Sequence, residues 1–273
     1  MIRALREIAY AKINLALHVR RRREDGYHDI ETLFAFVDVG DVLEATPAPS
    51  DQLTIVGEFA SQLTDPFNNL VTKALGHLSR SEGLRLTLEK NLPVAAGLGG
   101  GSADAGAVFR IVDQLHGLPD DWRTRAAKLG ADVPACVESY MCVGSATGTE
   151  LTPINNDLAA TPVLLVNPRI PLATGPVFAG WDGIDRGPLP DGPASAILRA
   201  GRNDLQPSAI TIVPQIGQLL ASLNATDAML TRMSGSGATC FALYATEEAR
   251  EAAARKIAAE HPDWWQLSGK LRP

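Results

Sequence analysis

Aromatic residues are scarce: Phe, Trp and Tyr together make up 5% of the 273 residues, against 24 glycines and 18 prolines. That balance predicts aliphatic cores and many defined loops, and excludes a disordered or collagen-like chain. Cysteine is also rare. Cys136, Cys142 and Cys240 form no C-x-x-C pair, and an odd count fits reduced thiols better than a disulfide framework. No window of 18 apolar residues occurs, and Arg3, Arg6 and Glu7 are followed by no apolar h-region. Neither a membrane span nor a signal peptide is expected, and the reduced thiols make the expected location cytoplasmic. An excess of basic residues is missing as well. With 25 Lys plus Arg against 31 Asp plus Glu, the net charge is −6, and no basic half exists to hold nucleic acid.

What is present is a globular composition, 45% hydrophobic and 21% charged, long enough for one large domain or two ordinary ones. Residues 9–19 alternate strictly, with Ala11, Ile13, Leu15, Leu17 and Val19 on one face and Lys12, Asn14 and His18 on the other. This is the pattern of a half-buried strand. An Asp25-Gly26 turn signal leads to a second extended segment, Tyr27 to Val37. Asn68 and Asn69 offer a cap for a helix that should run until Gly83. Leu84, Leu86 and Leu88 mark another strand, which leads through Lys90 and Leu92-Pro93 into a glycine-rich turn and then a helix ending at Gly117. A short helix from Asp121 to Leu129 follows, closed by Gly130. The pattern loosens near residues 155–162, and a domain boundary is placed there. The second half holds a strand at Val163 to Val166, a Pro/Gly/Asp-rich loop at 182–193, a tight Gly235-Ser236-Gly237 turn and a long helix after Thr246, which reads as α+β.

The segment LPVAAGLGGGSADAG at 92–106 is the most informative. Glycines between a strand and a helix start let the backbone approach a ligand, and the first helical N–H groups favour an anion. A lone glycine cluster is equally compatible with a tightly packed turn. Ser102 adds chemistry, since its hydroxyl can cap the helix or touch a phosphate group. No lysine follows these glycines, so the segment is not a Walker A loop. A G-x-G-x-x-G fingerprint fails too, because its last position falls on Ser102 or Asp104.

In order along the chain, AKINLAL at 11–17, LPVAAGLGGGSADA at 92–105 and MSGSGATCFAL at 233–243 resemble the three motifs of the GHMP small-molecule kinases, over nearly the whole length. DGYHDIETLF at 25–34, LGADVPACV at 129–137 and Asn203-Asp204 are similar to one branch of that family. Its members phosphorylate, with ATP, the 2-hydroxyl of a cytidine-diphosphate-linked methylerythritol in the non-mevalonate route to isoprenoid precursors. The resemblance implies an α+β, two-domain GHMP kinase fold: a ribosomal protein S5 domain 2-like N-terminal domain over residues 1–157 and a ferredoxin-like C-terminal domain over 158–273. It also implies ATP as phosphate donor, with Mg²⁺ following from ATP chemistry; metal ligands and oligomeric state are left unassigned.

Roles carry over residue by residue. Asp132 resembles the catalytic base and Lys12 the cation beside it; taken alone, Asp132 would be read as a helix cap and Lys12 as a strand lysine with a solvated head. Pro93, Val94, Ala95, Ala96, Gly97, Leu98, Gly99, Gly100, Gly101, Ser102 and Ala103 would hold the ATP phosphates, with Asn69 and Lys90 bordering the nucleotide. Tyr27, His28 and Phe178 look like the cytidine site, with Asn14 also on the substrate side. Ser234 to Gly237 resembles the third motif, although a plain hairpin turn explains it equally well. Tyr10 stands where proline is usual, and Ala135 where an aromatic is common. Two other readings remain: a GHMP kinase for homoserine or a sugar, and a non-catalytic nucleotide-binding sensor on the same fold.

Overall fold

The computed structural model describes residues 4–63, 65 and 69–273. Arg3 and the Asn68 cap lie outside the described residues. In chain order the elements are β1 (Leu5–Arg22), β2 (His28–Ala48), β3 (Gln52–Val56), α1 (Leu70–His77), β4 (Gly83–Glu89), α2 (Gly100–His116), α3 (Trp122–Leu129), α4 (Val133–Glu138), β5 (Cys142–Ser145), β6 (Glu150–Pro153), β7 (Pro162–Asn167), α5 (Thr174–Ala179), α6 (Ala194–Ala200), α7 (Gln206–Ile212), α8 (Gln215–Asn224), β8 (Leu230–Met233), β9 (Cys240–Leu243), α9 (Glu247–Glu260) and β10 (Trp265–Lys270). The contacts divide the chain into two discontinuous units. Among the described residues, one comprises 4–11, 40–94 and 99–139; the other comprises 12–39, 95–98 and 140–273. The boundary expected near residue 157 falls inside the second unit.

In the first unit, the C-terminal stretch of β2 pairs antiparallel with β4, and β3 pairs parallel with β4. Gly106 lets α2 approach α4 closely, since a Cβ there would stand 2.5 Å from the Cys136 carbonyl oxygen. The Arg110 guanidinium lies over the Tyr10 ring, 5.5 Å from its centroid, and Ala135 is buried in α4. The two departures from the family motifs are thus ordinary packing positions. Asp121 precedes α3 and Gly130 ends it, as the sequence suggests. Helix α1 is shorter than expected. It ends at His77 because Leu78 turns to extended backbone, and Gly83 instead opens β4.

In the second unit, the N-terminal stretch of β2 pairs with β5, which pairs with β6. A four-stranded antiparallel sheet in the order β10-β7-β9-β8 forms the other part. Its core joins Leu164 and Val166 of β7, Cys240 and Ala242 of β9, the Ile216 and Leu219 face of α8, and Ala253 and Ile257 of α9. This is the ferredoxin-like arrangement expected for the second half. Thr246 caps α9, its hydroxyl accepting from the Ala249 N–H at 3.2 Å. The three cysteines form no disulfide and are buried, and burial pushes the Cys240 thiol up, so it packs as a small apolar group.

One expectation about β1 is corrected. Alternation predicts a half-buried strand, yet its polar row is covered too: Lys12, Asn14 and His18 are buried along with the aliphatic residues. Polar side chains tolerate this only when hydrogen-bonded.

Candidate active site

The glycine turn begins after β4 and feeds α2. Ala95, Gly97 and Gly99 have φ of 53, 77 and 60°, the left-handed region that glycine enters without steric penalty. Gly99 is the N-cap of α2 and supplies no side-chain cap, so the leading amides of the helix are left for another acceptor. The expectation that Ser102 caps the helix is corrected. Ser102 is the third helical residue, where its hydroxyl is clear of the capping position. It stands beside the LGADVP segment, since a Cβ on Gly130 would lie 3.8 Å from its Oγ.

Within the second unit, residues 95–98 are braced by the third motif. The Ser234 hydroxyl donates to the Gly97 carbonyl at 2.7 Å, and the Thr239 N–H donates to the Ala96 carbonyl at 3.1 Å. Ser234 to Gly237 does turn between the antiparallel strands β8 and β9, so it is a hairpin turn and a brace at once. The Lys12 N–H donates to the Leu98 carbonyl at 3.0 Å. Lys12 Nζ donates to Asn14 Oδ1 at 2.9 Å, Asn14 Nδ2 to Thr32 Oγ1 at 2.7 Å, and Thr32 Oγ1 to the Ala16 carbonyl at 2.7 Å. The chain fixes the Asn14 amide and aims its oxygen at the ammonium. Thr32 completes it, a residue that sequence reasoning passed over inside DGYHDIETLF.

Asp132 lies in the first unit, half-buried, just before α4. Its side chain makes no cap hydrogen bond to that helix, so the capping role that would otherwise explain it is not in use. Asn69 does cap: its Oδ1 accepts from the Val71 N–H at 2.8 Å. Lys90 is fully buried between Asp41 and Asp104, neither of which stood out in the sequence.

Tyr27, His28 and Phe178 fall in the second unit. The His28 and Phe178 ring centroids are 5.0 Å apart, and Trp181 meets His28 edge-on at 5.9 Å. The Tyr27 ring is exposed, which leaves its faces open for stacking. Burial, then the charge of Arg22, lowers the His28 pKa, and Arg22 Nε donates to His28 Nε2 at 3.4 Å. His18 is lowered by burial and by Arg202; its Nδ1 faces the Gly187 carbonyl at 3.1 Å, and its Nε2 accepts from the Arg202 N–H at 3.2 Å. Both imidazoles are held below their ordinary range in the folded protein. In the unfolded chain they titrate near 6.5. The stability they support is present above pH 6.5 and is lost as pH falls through their lower folded values. Thermal denaturation should therefore show a falling Tm below pH 6.5, and His18→Gln should flatten that slope; an unchanged slope would contradict the assignment.

Two family models cover complementary stretches of the chain: "GHMP kinases N terminal domain" matches residues 69–140 and "GHMP kinases C terminal" matches residues 191–263. The class is that of a GHMP kinase. The 4-diphosphocytidyl-2-C-methyl-D-erythritol kinase of Novosphingobium aromaticivorans is 67% identical, covering 98% of this chain and 93% of its own. Its counterpart in Erythrobacter litoralis is 63% identical over 97% and 99%. A crystal structure of 4-(cytidine 5'-diphospho)-2C-methyl-D-erythritol kinase superposes with a TM-score of 0.84 at 31% identity, covering 98% of this chain and 100% of that one. Homoserine kinase from Cytophaga hutchinsonii shares the fold at a TM-score of 0.68, with 16% identity. The chain belongs to the 4-diphosphocytidyl-2-C-methyl-D-erythritol kinase family of GHMP kinases.

Proposed function

We propose that the protein transfers the γ-phosphoryl group of ATP to the 2-hydroxyl of 4-diphosphocytidyl-2-C-methyl-D-erythritol, giving the 2-phosphate and ADP, in the cytoplasm. The observation that carries this reading is the left-handed glycine turn entering α2 without a side-chain cap, in a chain 67% identical to a kinase of that name.

Phosphoryl transfer asks a protein mainly for in-line positioning and charge stabilisation. The amides at the start of α2 and the turn from Pro93 to Ala103 bind the ATP phosphates, and Asn69 borders the nucleotide. Asp132 accepts the proton of the attacking hydroxyl. Lys12, fixed by Asn14, neutralises charge growing on the transferred group. Tyr27 and Phe178 present ring faces to the cytosine, and His28 hydrogen-bonds its edge. Among the described residues no group of three or more His, Cys, Asp or Glu is placed to hold a metal ion. A Mg²⁺ would be held by the nucleotide's own oxygens together with one or two protein oxygens, the Ser102 hydroxyl among the candidates, and it would neutralise β- and γ-phosphate charge.

Among the described residues no helix is long and apolar enough to cross a membrane. The cytidine assignment separates this reading from a homoserine or sugar kinase. His28→Ala is expected to raise the KM for the cytidine-linked alcohol at least ~10-fold, the scale of a lost buried hydrogen bond and ring contact, with the KM for ATP unchanged in a coupled ADP-release assay. Unchanged KM for the alcohol, with no CMP binding in calorimetry, would remove the cytidine site.

A further inference from the structure

Behind the first turn of α2, within the first unit, lies a cluster of three buried charged side chains: Lys90, which the resemblance places at the border of the nucleotide, and Asp41 and Asp104, which it does not assign. Lys90 Nζ donates to Asp104 Oδ2 at 2.7 Å and to Asp41 Oδ2. Asp41 Oδ1 also accepts the main-chain N–H groups of Asn91 and Leu92, at 2.6 and 2.8 Å. The Lys90 main chain is pinned in turn: its N–H donates to the Val56 carbonyl at 2.7 Å, and its carbonyl accepts from the Phe59 N–H at 3.1 Å. The cluster sits directly under the phosphate turn. A Cβ on Gly100, the first residue of α2, would stand 3.1 Å from Lys90 Nζ and 3.7 Å from Asp41 Oδ2.

Two carboxylates and one ammonium do not balance, and the excess is visible in the geometry. Asp104 Oδ1 is buried and accepts no hydrogen bond among the described residues. An ionised carboxylate left so is expensive, and a negative charge beneath an anion site repels the anion.

We propose that Lys90 is a positioning residue for the ATP phosphates: it acts through Asp41 and Asp104, cancelling negative charge behind the first turn of α2 instead of touching the nucleotide. This rests on the phosphate-binding reading of that turn. The balance is completed on the Asp104 side, where burial, partly offset by Lys90, raises the carboxyl to about 8, so that it keeps its proton at neutral pH. Burial alone would lower the Lys90 pKa, but its close contacts with Asp104 and with the Asp41 carboxylate outweigh it and hold the ammonium charged. Proton and ammonium together leave Asp41 as the single anion matched to a single cation. A phosphate docking at the helix start then meets amide dipoles with no net charge at their back.

Charge balance and mechanical support predict opposite signs in a double variant. Lys90→Met should weaken ATP binding at least ~10-fold in calorimetry, with kcat at saturating ATP within about threefold. Adding Asp41→Asn, which removes the unmatched anion, should restore ATP affinity to within about threefold of wild type. If the cluster were only a scaffold, the second substitution would deepen the loss, and that result would overturn the proposal. Should Lys90→Met fail to fold, Asp104→Asn decides: ATP should bind as tightly as in wild type or more tightly, and a tenfold loss contradicts the charge account. Wild-type protein that does not bind ATP overturns the kinase reading and this inference together. Binding without the expected signs overturns this inference alone.

Discussion

Asp132→Asn should lower kcat at least ~10²-fold while ATP affinity stays within about twofold of wild type, the usual size of a general-base effect. Asparagine keeps the shape of the side chain and cannot accept the hydroxyl proton. Because the Asp132 side chain makes no cap bond to α4, the substitution removes no helix cap. That combination separates the proposed chemistry from the structural use of Asp before a Val-Pro helix start. Wild-type turnover in the variant would end the base assignment. A large fall in Tm would show that the residue supports the fold.

Gly97→Ala should damage both stability and nucleotide binding. At φ of 77° any L-residue is strained, by roughly 1–2 kcal/mol. The added Cβ would also stand 2.3 Å from the Ser234 carbonyl oxygen and 3.0 Å from the Gly237 N and O atoms. These are backbone atoms of a turn that itself bonds to Gly97, so no side chain can rotate away to make room. Together the two effects amount to roughly 3 kcal/mol or more, lowering Tm by about 5–10 °C. The brace between the third motif and the glycine turn would break, and the KM for ATP should rise at least ~10-fold. Gly76, inside α1 with nothing within 4 Å of a built Cβ, is the control. Its change to Ala should be neutral or stabilising.

Local pattern made some features legible in the sequence. The glycine turn, the Asn69 cap, the start of α9 after Thr246 and the Gly117 and Gly130 helix ends depend on residue types with strong backbone preferences, and each is found where expected. Burial of β1 on both faces was not legible, because alternation reports side-chain polarity and cannot show what covers the polar row. Asp41 and Asp104 were invisible for a related reason. They lie 49 and 14 residues from the lysine they hold, and no spacing rule joins them. Thr32 belongs to the same class, being defined only by its bonds to Asn14 and Ala16. A signal for Asp104 was present in retrospect, since a carboxylate in an otherwise small, apolar stretch of α2 must find a buried partner. Short helices such as α5 and α7 escaped because each is under two turns long, too brief for a period to show.

The central claim is transfer of a phosphoryl group to one particular hydroxyl of one particular alcohol. It is tested most directly by incubating the protein with ATP, Mg²⁺ and 4-diphosphocytidyl-2-C-methyl-D-erythritol and following the mixture by phosphorus NMR. The account predicts ADP and one new phosphate monoester in equal amounts, with the monoester coupled to the 2-position of the methylerythritol. ADP release without that monoester, or faster transfer to homoserine or a sugar under the same conditions, would contradict it.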